Sequence, residues 1–108
     1  MNRLYLIGNL TADAVLAATS LGEEVCTFSL AVNQPTGRNA RDQSGVTYFR
    51  CSIRGARSAE YARILRKGCK AFVSGEVGAS VYRSRDGSAR ASLEVQCREC
   101  ELLSGNEA

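Results

Sequence analysis

The sequence predicts an all-β fold, closed into a small barrel and carrying one short helix. Three observations lead there. Apolar and polar residues alternate with period two through most of the chain, one segment alone switches to helical spacing, and clusters of Gly, Asn and Ser separate the alternating runs. A chain of 108 residues at 44% hydrophobic content suffices for one domain with one core. That domain is expected over residues 1–103, with 104–108 as a short polar tail.

Taken in order, Arg3–Ile7, Val25–Asn33, Val46–Ile53, Lys70–Val77, Ala79–Ser84 and Ala89–Cys97 read as strands, making five or six. Ser58–Lys67 reads as the helix: Ala59, Ala62, Ile64 and Leu65 recur at helical spacing, Ser58 is placed to cap the start, Arg66 and Lys67 suit the last turn, and Gly68 stops it. Asp86-Gly87 between VYRSR and SARASLEV signals a tight hairpin. Gln34–Gly45, QPTGRNARDQSG, is a loop by composition. A five-stranded barrel with one helix between the third and fourth strands is the plan of the oligonucleotide/oligosaccharide-binding fold, the OB fold.

The chain has no long apolar run and no charged-then-apolar leader, so a cytoplasmic protein without a membrane span is expected. Five cysteines at 26, 51, 69, 97 and 100 are odd in number and mostly sit within apolar patterns, as small reduced core residues do. Cys97 and Cys100 have CxxC spacing, but there is no second CxxC and no histidine, so neither metal nor cofactor is expected. Asp13, Glu60 and Glu76 have no nucleophile or metal partner in the pattern, and no catalytic residue is assigned.

Charge is more informative. Of 14 basic residues, 12 are arginine, the side chain that pairs bidentately with phosphate and stacks on flat rings. Arg38, Arg41, Arg50, Arg54 and Arg57 stand against the single acid Asp42 between Thr36 and Arg57, whereas glutamates gather near the end. A segregated basic stretch attracts polyanions, although it also keeps a solvated face soluble.

The stretch VTYFRCSIRG decides how that charge is presented. If Thr47, Phe49, Cys51 and Ile53 face a core, Tyr48, Arg50 and Arg54 share the outer face. In the hairpin, Tyr82 lies on one face with Ser80 and Ser84, near Arg83, Arg85 and Arg90. Aromatic rings flanked by cations suit a single-stranded nucleic acid, whose bases stack while its phosphates follow the charges. Such stacking tolerates any base.

The segments NRLYLIGNL, VCTFSLAVN, TYFRCSIRG, LRKG with CKAFVSGEV, and YRSRDGSARASLEV resemble, in order and spacing, the bacterial single-stranded DNA-binding proteins of the SSB family, over nearly all of residues 2–103. The resemblance implies an OB fold, single-stranded DNA as partner in replication, repair and recombination, and a homotetramer (or homodimer). It implies that Tyr48 and Tyr82 stack where the family usually has tryptophan, and that Arg54 stacks where a phenylalanine is common. Thr36 falls near a loop tryptophan of some members. Arg50 and Lys67 match basic residues of the family, while Arg83 and Arg85 stand in for basic residues missing around Gly78, Ser80 and Val81. Arg3, Arg38, Arg41 and Arg90 complete the expected nucleic-acid-binding set. Family members continue into a flexible linker and an acidic, hydrophobic tip that recruits proteins; LLSGNEA lacks such a tip, so recruitment by that route is not expected. A short primosomal replication protein of OB fold and an OB-fold protein-interaction module are the alternative readings.

Overall fold

The computed structural model describes residues 1–33 and 45–104. Thr36, Arg38 and Arg41 lie outside the described residues. The chain forms β1 (Leu4–Leu10), β2 (Val15–Ala18), β3 (Glu24–Asn33), β4 (Val46–Arg54), α1 (Ser58–Ile64), β5 (Lys70–Arg83) and β6 (Ala89–Ser104). Its sheet runs β1-β5-β6-β4-β3-β2, and a further β1–β3 pairing closes five of these strands into a ring. β3 makes closure possible by sharing one edge between two neighbours: β2 takes Glu24–Thr27, and β1 takes Leu30 and Ala31. Counted along the ring, α1 follows the third strand and precedes the fourth, so the sheet has the expected OB plan.

Strand alternation fills the interior. Leu6, Phe28, Leu30, Phe49, Cys51, Ile53, Val73 and Val95 are buried and form one cluster, against which α1 places Tyr61, Ala62 and Ile64. Two glycines stand where backbones must meet. A Cβ at Gly8 would lie 2.5 Å from the Ala31 carbonyl oxygen, where β1 meets β3, and one at Gly75 would lie 2.0 Å from that of Gln96. Neither site has room for a side chain.

Near Gly75 the strands change register. Gly75 pairs with Cys97 and Ser74 with Glu99, so Arg98 is an extra residue on β6. In a regular strand, residues three apart face opposite ways; the bulge reverses the alternation, and Cys97 and Cys100 both pack against the core. This accounts for the CxxC spacing. Burial pushes the Cys26 thiol up to about 11 and Cys100 up to about 12, each with a smaller contribution from neighbouring Cys97, so both are protonated thiols at neutral pH.

One strand was not expected, and three local expectations need correction. β2 lacks a sequence signal: VLAA is exposed throughout and forms by pairing with β3. The two strands expected on either side of Gly78 are one strand, because β6 pairs with β5 without interruption from Gly75 to Arg83. The helix stops at Ile64 rather than Lys67, since Leu65 turns extended and residues 65–69 bond to the end of β1 and to the residue before β2: Gly68 N–H donates to the Leu10 carbonyl and Ala14 N–H to that of Leu65, each at 2.9 Å. Ser58 is not the cap. Arg57 holds that position without a side-chain bond, while the buried Ser58 hydroxyl lies 2.8 Å from the Ile53 carbonyl and 3.1 Å from that of Glu24.

Candidate nucleic-acid interface

β4 separates its residues as alternation requires. Phe49, Cys51 and Ile53 are buried, while Tyr48 is 61% exposed on the outer face with Arg50 and Arg54. β6 runs parallel to β4 from Leu93 to Gln96, and β5 lies beyond it. That order carries Tyr82 from the hairpin arm back toward β4. Tyr48, Arg50 and Tyr82, separated in sequence, line one groove of about 490 Å³ with Ser29, Ser92 and Leu93.

The groove extends through Arg50. On one side, Arg50 also borders a depression formed with Thr27, Ser52, Arg54 and Gln96. On the other, it borders one with Asp13 and Val15. Asp13 in turn accepts from the Lys67 N–H at 2.8 Å and pairs with Arg66 at 3.3 Å, bringing the residues after α1 to that end. Arg90 is directly opposite Tyr82 across the β5–β6 pair.

Other expected residues fall elsewhere. Arg83 alternates onto the face opposite Tyr82 and donates to the Gly87 carbonyl at 3.0 Å. Arg85 is exposed at the hairpin tip. Arg3 lies just before β1, beside Asn2, whose amide bonds both the N–H and the carbonyl of Val77. None of the three lines the grooves around Arg50.

The hairpin tip differs in detail from a two-residue turn. Ser84 N–H donates to the Ser88 carbonyl and Gly87 N–H to the Ser84 carbonyl, leaving Arg85, Asp86 and Gly87 as a three-residue loop. Gly87 alone of the three takes positive φ, at 87°. Hydrogen bonds from the Ser84 and Ser88 hydroxyls, then from the Ser88 N–H, bring the Asp86 carboxyl down to about 2. This shapes the arm that carries Tyr82.

The arrangement combines two tyrosine rings with guanidinium groups along an open channel. The model of the single-strand binding protein family matches residues 1–103. The chain belongs to that family. It is 32% identical over 107 residues to single-stranded DNA-binding protein 3 of Listeria innocua serovar 6a, covering 99% of this chain and 66% of the relative. It is 33% identical over 102 residues to the single-stranded DNA-binding protein of Chlamydia muridarum, covering 94% and 62%. With single-stranded DNA-binding protein 1 of Staphylococcus aureus strain COL, identity is 31% over 108 residues, covering all of this chain and 64% of the relative. The chain therefore spans a little under two thirds of the length of these relatives.

Within the family fold, sequence reasoning missed the floor of the groove. Ser29 and Ser92 are small polar residues that line it together with the two tyrosines. Thr27 and Ser29 do alternate with buried Cys26, Phe28 and Leu30, so their outward direction was legible. Their place beside Arg50 was not, because it depends on which strands pair. Glu23 was also missed; it forms an ion pair with Arg54 at 3.3 Å. Among the described residues, no helix is long and apolar enough to cross a membrane.

Proposed function

We propose that this chain binds single-stranded DNA without sequence preference and protects it during replication, repair or recombination. The observation that carries this reading is the convergence of Tyr48, Tyr82 and Arg50 on one groove. Unpaired bases stack on the two rings, while Arg50, Arg90 and Lys67 meet the phosphates. Ring faces accept every base alike, and duplex DNA keeps its base faces inside the helix. Thr36, Arg38 and Arg41 extend the contact, with Arg3, Arg83 and Arg85 at its margins. The role is holding a polymer by non-covalent contact rather than catalysis, in the cytoplasm with the nucleoid. Residues 1–103 form the binding unit.

A homotetramer is the proposed assembly. β1 pairs with β5 along Leu4–Asn9, but with β3 only at Asn9 and Leu10, so Leu4–Ile7 offers an open edge. Beside that edge, Tyr5 and Ile7 are 62% and 51% exposed, and Tyr5 stacks on Phe72 with centroids 6.3 Å apart. A second copy would pair along the edge and cover this apolar strip. Several copies then enlarge the small site of one OB domain.

Titration with a long oligo-thymidine tests binding directly. The chain has four tyrosines and no tryptophan, so tyrosine fluorescence reports the stacked rings. Saturable quenching by single strands, much weaker duplex binding and loss of affinity with added salt are expected. Equal affinity for both forms of DNA refutes the reading.

A further inference from the structure

Arg54 reaches the groove side of β4 already paired. Its Nη1 lies 3.3 Å from Glu23 Oε1, with both side chains about half exposed. An ordinary exposed pair contributes little, partly because two long side chains must be ordered. Here the backbone on both sides is fixed. Glu23 closes a turn in which its N–H donates to Thr19 Oγ1 at 3.2 Å and its carbonyl accepts from Thr19 N–H at 2.8 Å. The next carbonyl, of Glu24, accepts from the Gly55 N–H at 3.1 Å and from the Ser58 hydroxyl at 3.1 Å, while Val25 is the strand partner of Arg54. The carboxylate and the guanidinium are thus carried by two segments hydrogen-bonded to each other.

A guanidinium held at its edge by a carboxylate keeps both flat faces available, while its charge is largely compensated. Resting on the binding role proposed above, we propose that Glu23 is a positioning residue, which orients Arg54 for stacking on a base and withholds its charge from the phosphates. Arg54 shares with Thr27, Arg50, Ser52, Gln96 and Glu94 an open space of about 180 Å³ where a flat base can approach the guanidinium; the Glu94 carboxylate, on the strand partner of Arg50, accepts from the Ser80 hydroxyl at 3.5 Å. Glu23 thereby divides the arginines of β4 into a stacking one and a phosphate-binding one.

The test measures affinity for oligo-thymidine against salt concentration in the intact chain, for wild type, Glu23→Gln, Glu23→Asp, Arg54→Ala and the Glu23→Gln/Arg54→Ala double variant. Arg54→Ala is expected to weaken binding roughly tenfold, within the range of one stacking contact, with the salt slope unchanged. Glu23→Gln frees the charge of Arg54 and steepens the slope by about 0.7, one added phosphate contact on a single strand. Glu23→Asp keeps the wild-type slope, and the double variant returns to that of Arg54→Ala. An unchanged slope in Glu23→Gln, or the same steepening with Arg54 absent, overturns the role of Glu23. A wild-type chain with no affinity for the oligonucleotide refutes the binding reading instead.

Discussion

At the scale of single residues, direction on β4 decides what a substitution does. Tyr48→Ala and Tyr82→Ala are each expected to weaken single-strand binding by about 1 to 3 kcal/mol, the range for one base-aromatic contact, while the corresponding Phe variants bind nearly as wild type. Phe49 is 6% exposed and Ile53 8%, and their Ala variants should instead cost about 2 to 5 kcal/mol of folding stability. Fluorescence titration and chemical denaturation separate the two classes. Loss of binding in the Phe variants would assign the contact to the hydroxyl rather than the ring. The two-face reading of this strand was legible in VTYFRCSIRG, because a period of two leaves only two choices and only one set is apolar enough for a core. Whether an outer arginine has a carboxylate beside it was not legible: Arg54 and Glu23 are joined by strand pairing, not by proximity in the chain.

Among elements, β5 and β6 carry the tightest constraint. Gly75→Ala would set a Cβ 2.0 Å from the Gln96 carbonyl oxygen, in backbone that cannot swing aside as a side-chain end can. It is expected to destabilise the fold by about 3 kcal/mol or more, read from denaturant midpoints. Gly78→Ala on the same strand is the control, since a Cβ there meets nothing within 4 Å. Wild-type stability in Gly75→Ala would contradict the close approach. At the hairpin tip, the Asp86 carboxyl titrates near 2 instead of 3.8. A group with a lowered folded value stabilises above its unfolded value and loses that contribution as pH falls through the folded one, so what Asp86 adds to the tip is complete above about pH 4 and is lost toward pH 2. Carboxyl NMR titration should show the low midpoint, and a midpoint near 3.8 would contradict it. Strands of strong alternation were legible in the sequence. β2 was not, as an exposed four-residue VLAA has no pattern apart from its pairing with β3. The helix end was misread for a related reason: Arg66, Lys67 and Gly68 suit a helix terminus locally, but the hydrogen bonds of Leu65 to Ala14 and of Gly68 and Cys69 to Leu10 override that preference.

For the whole molecule, the prediction concerns assembly. Light scattering at micromolar concentration should give a tetramer, and Ile7→Arg, placing a charge among Tyr5 and Phe72 on the outer strip, should give smaller species that still quench with oligo-thymidine. The groove and the strip are separate surfaces: Tyr48, Arg50 and Tyr82 belong to one, Tyr5 and Ile7 to the other. A wild-type monomer would refute the tetramer. Weakened single-strand affinity in Ile7→Arg at short oligonucleotide length would join the two surfaces into one site.

By itself the sequence determined the all-β class, the position of the helix, the inward and outward faces of β4 and the chemical kind of the surface proposed to bind, because each depends on local periodicity or on residue type. Tertiary structure decided the rest. Ring closure needed β3 to share an edge between β1 and β2, and close approach at Gly8 and Gly75. The extra residue Arg98 turned Cys97 and Cys100 to the same side. Parallel pairing of β4 with β6 brought Tyr48 and Tyr82 onto one groove, and the β2–β3 turn set Glu23 against Arg54. Each of these joins residues far apart in the chain through backbone hydrogen bonds, which every residue type except proline can make, so side-chain identity alone leaves the partner open.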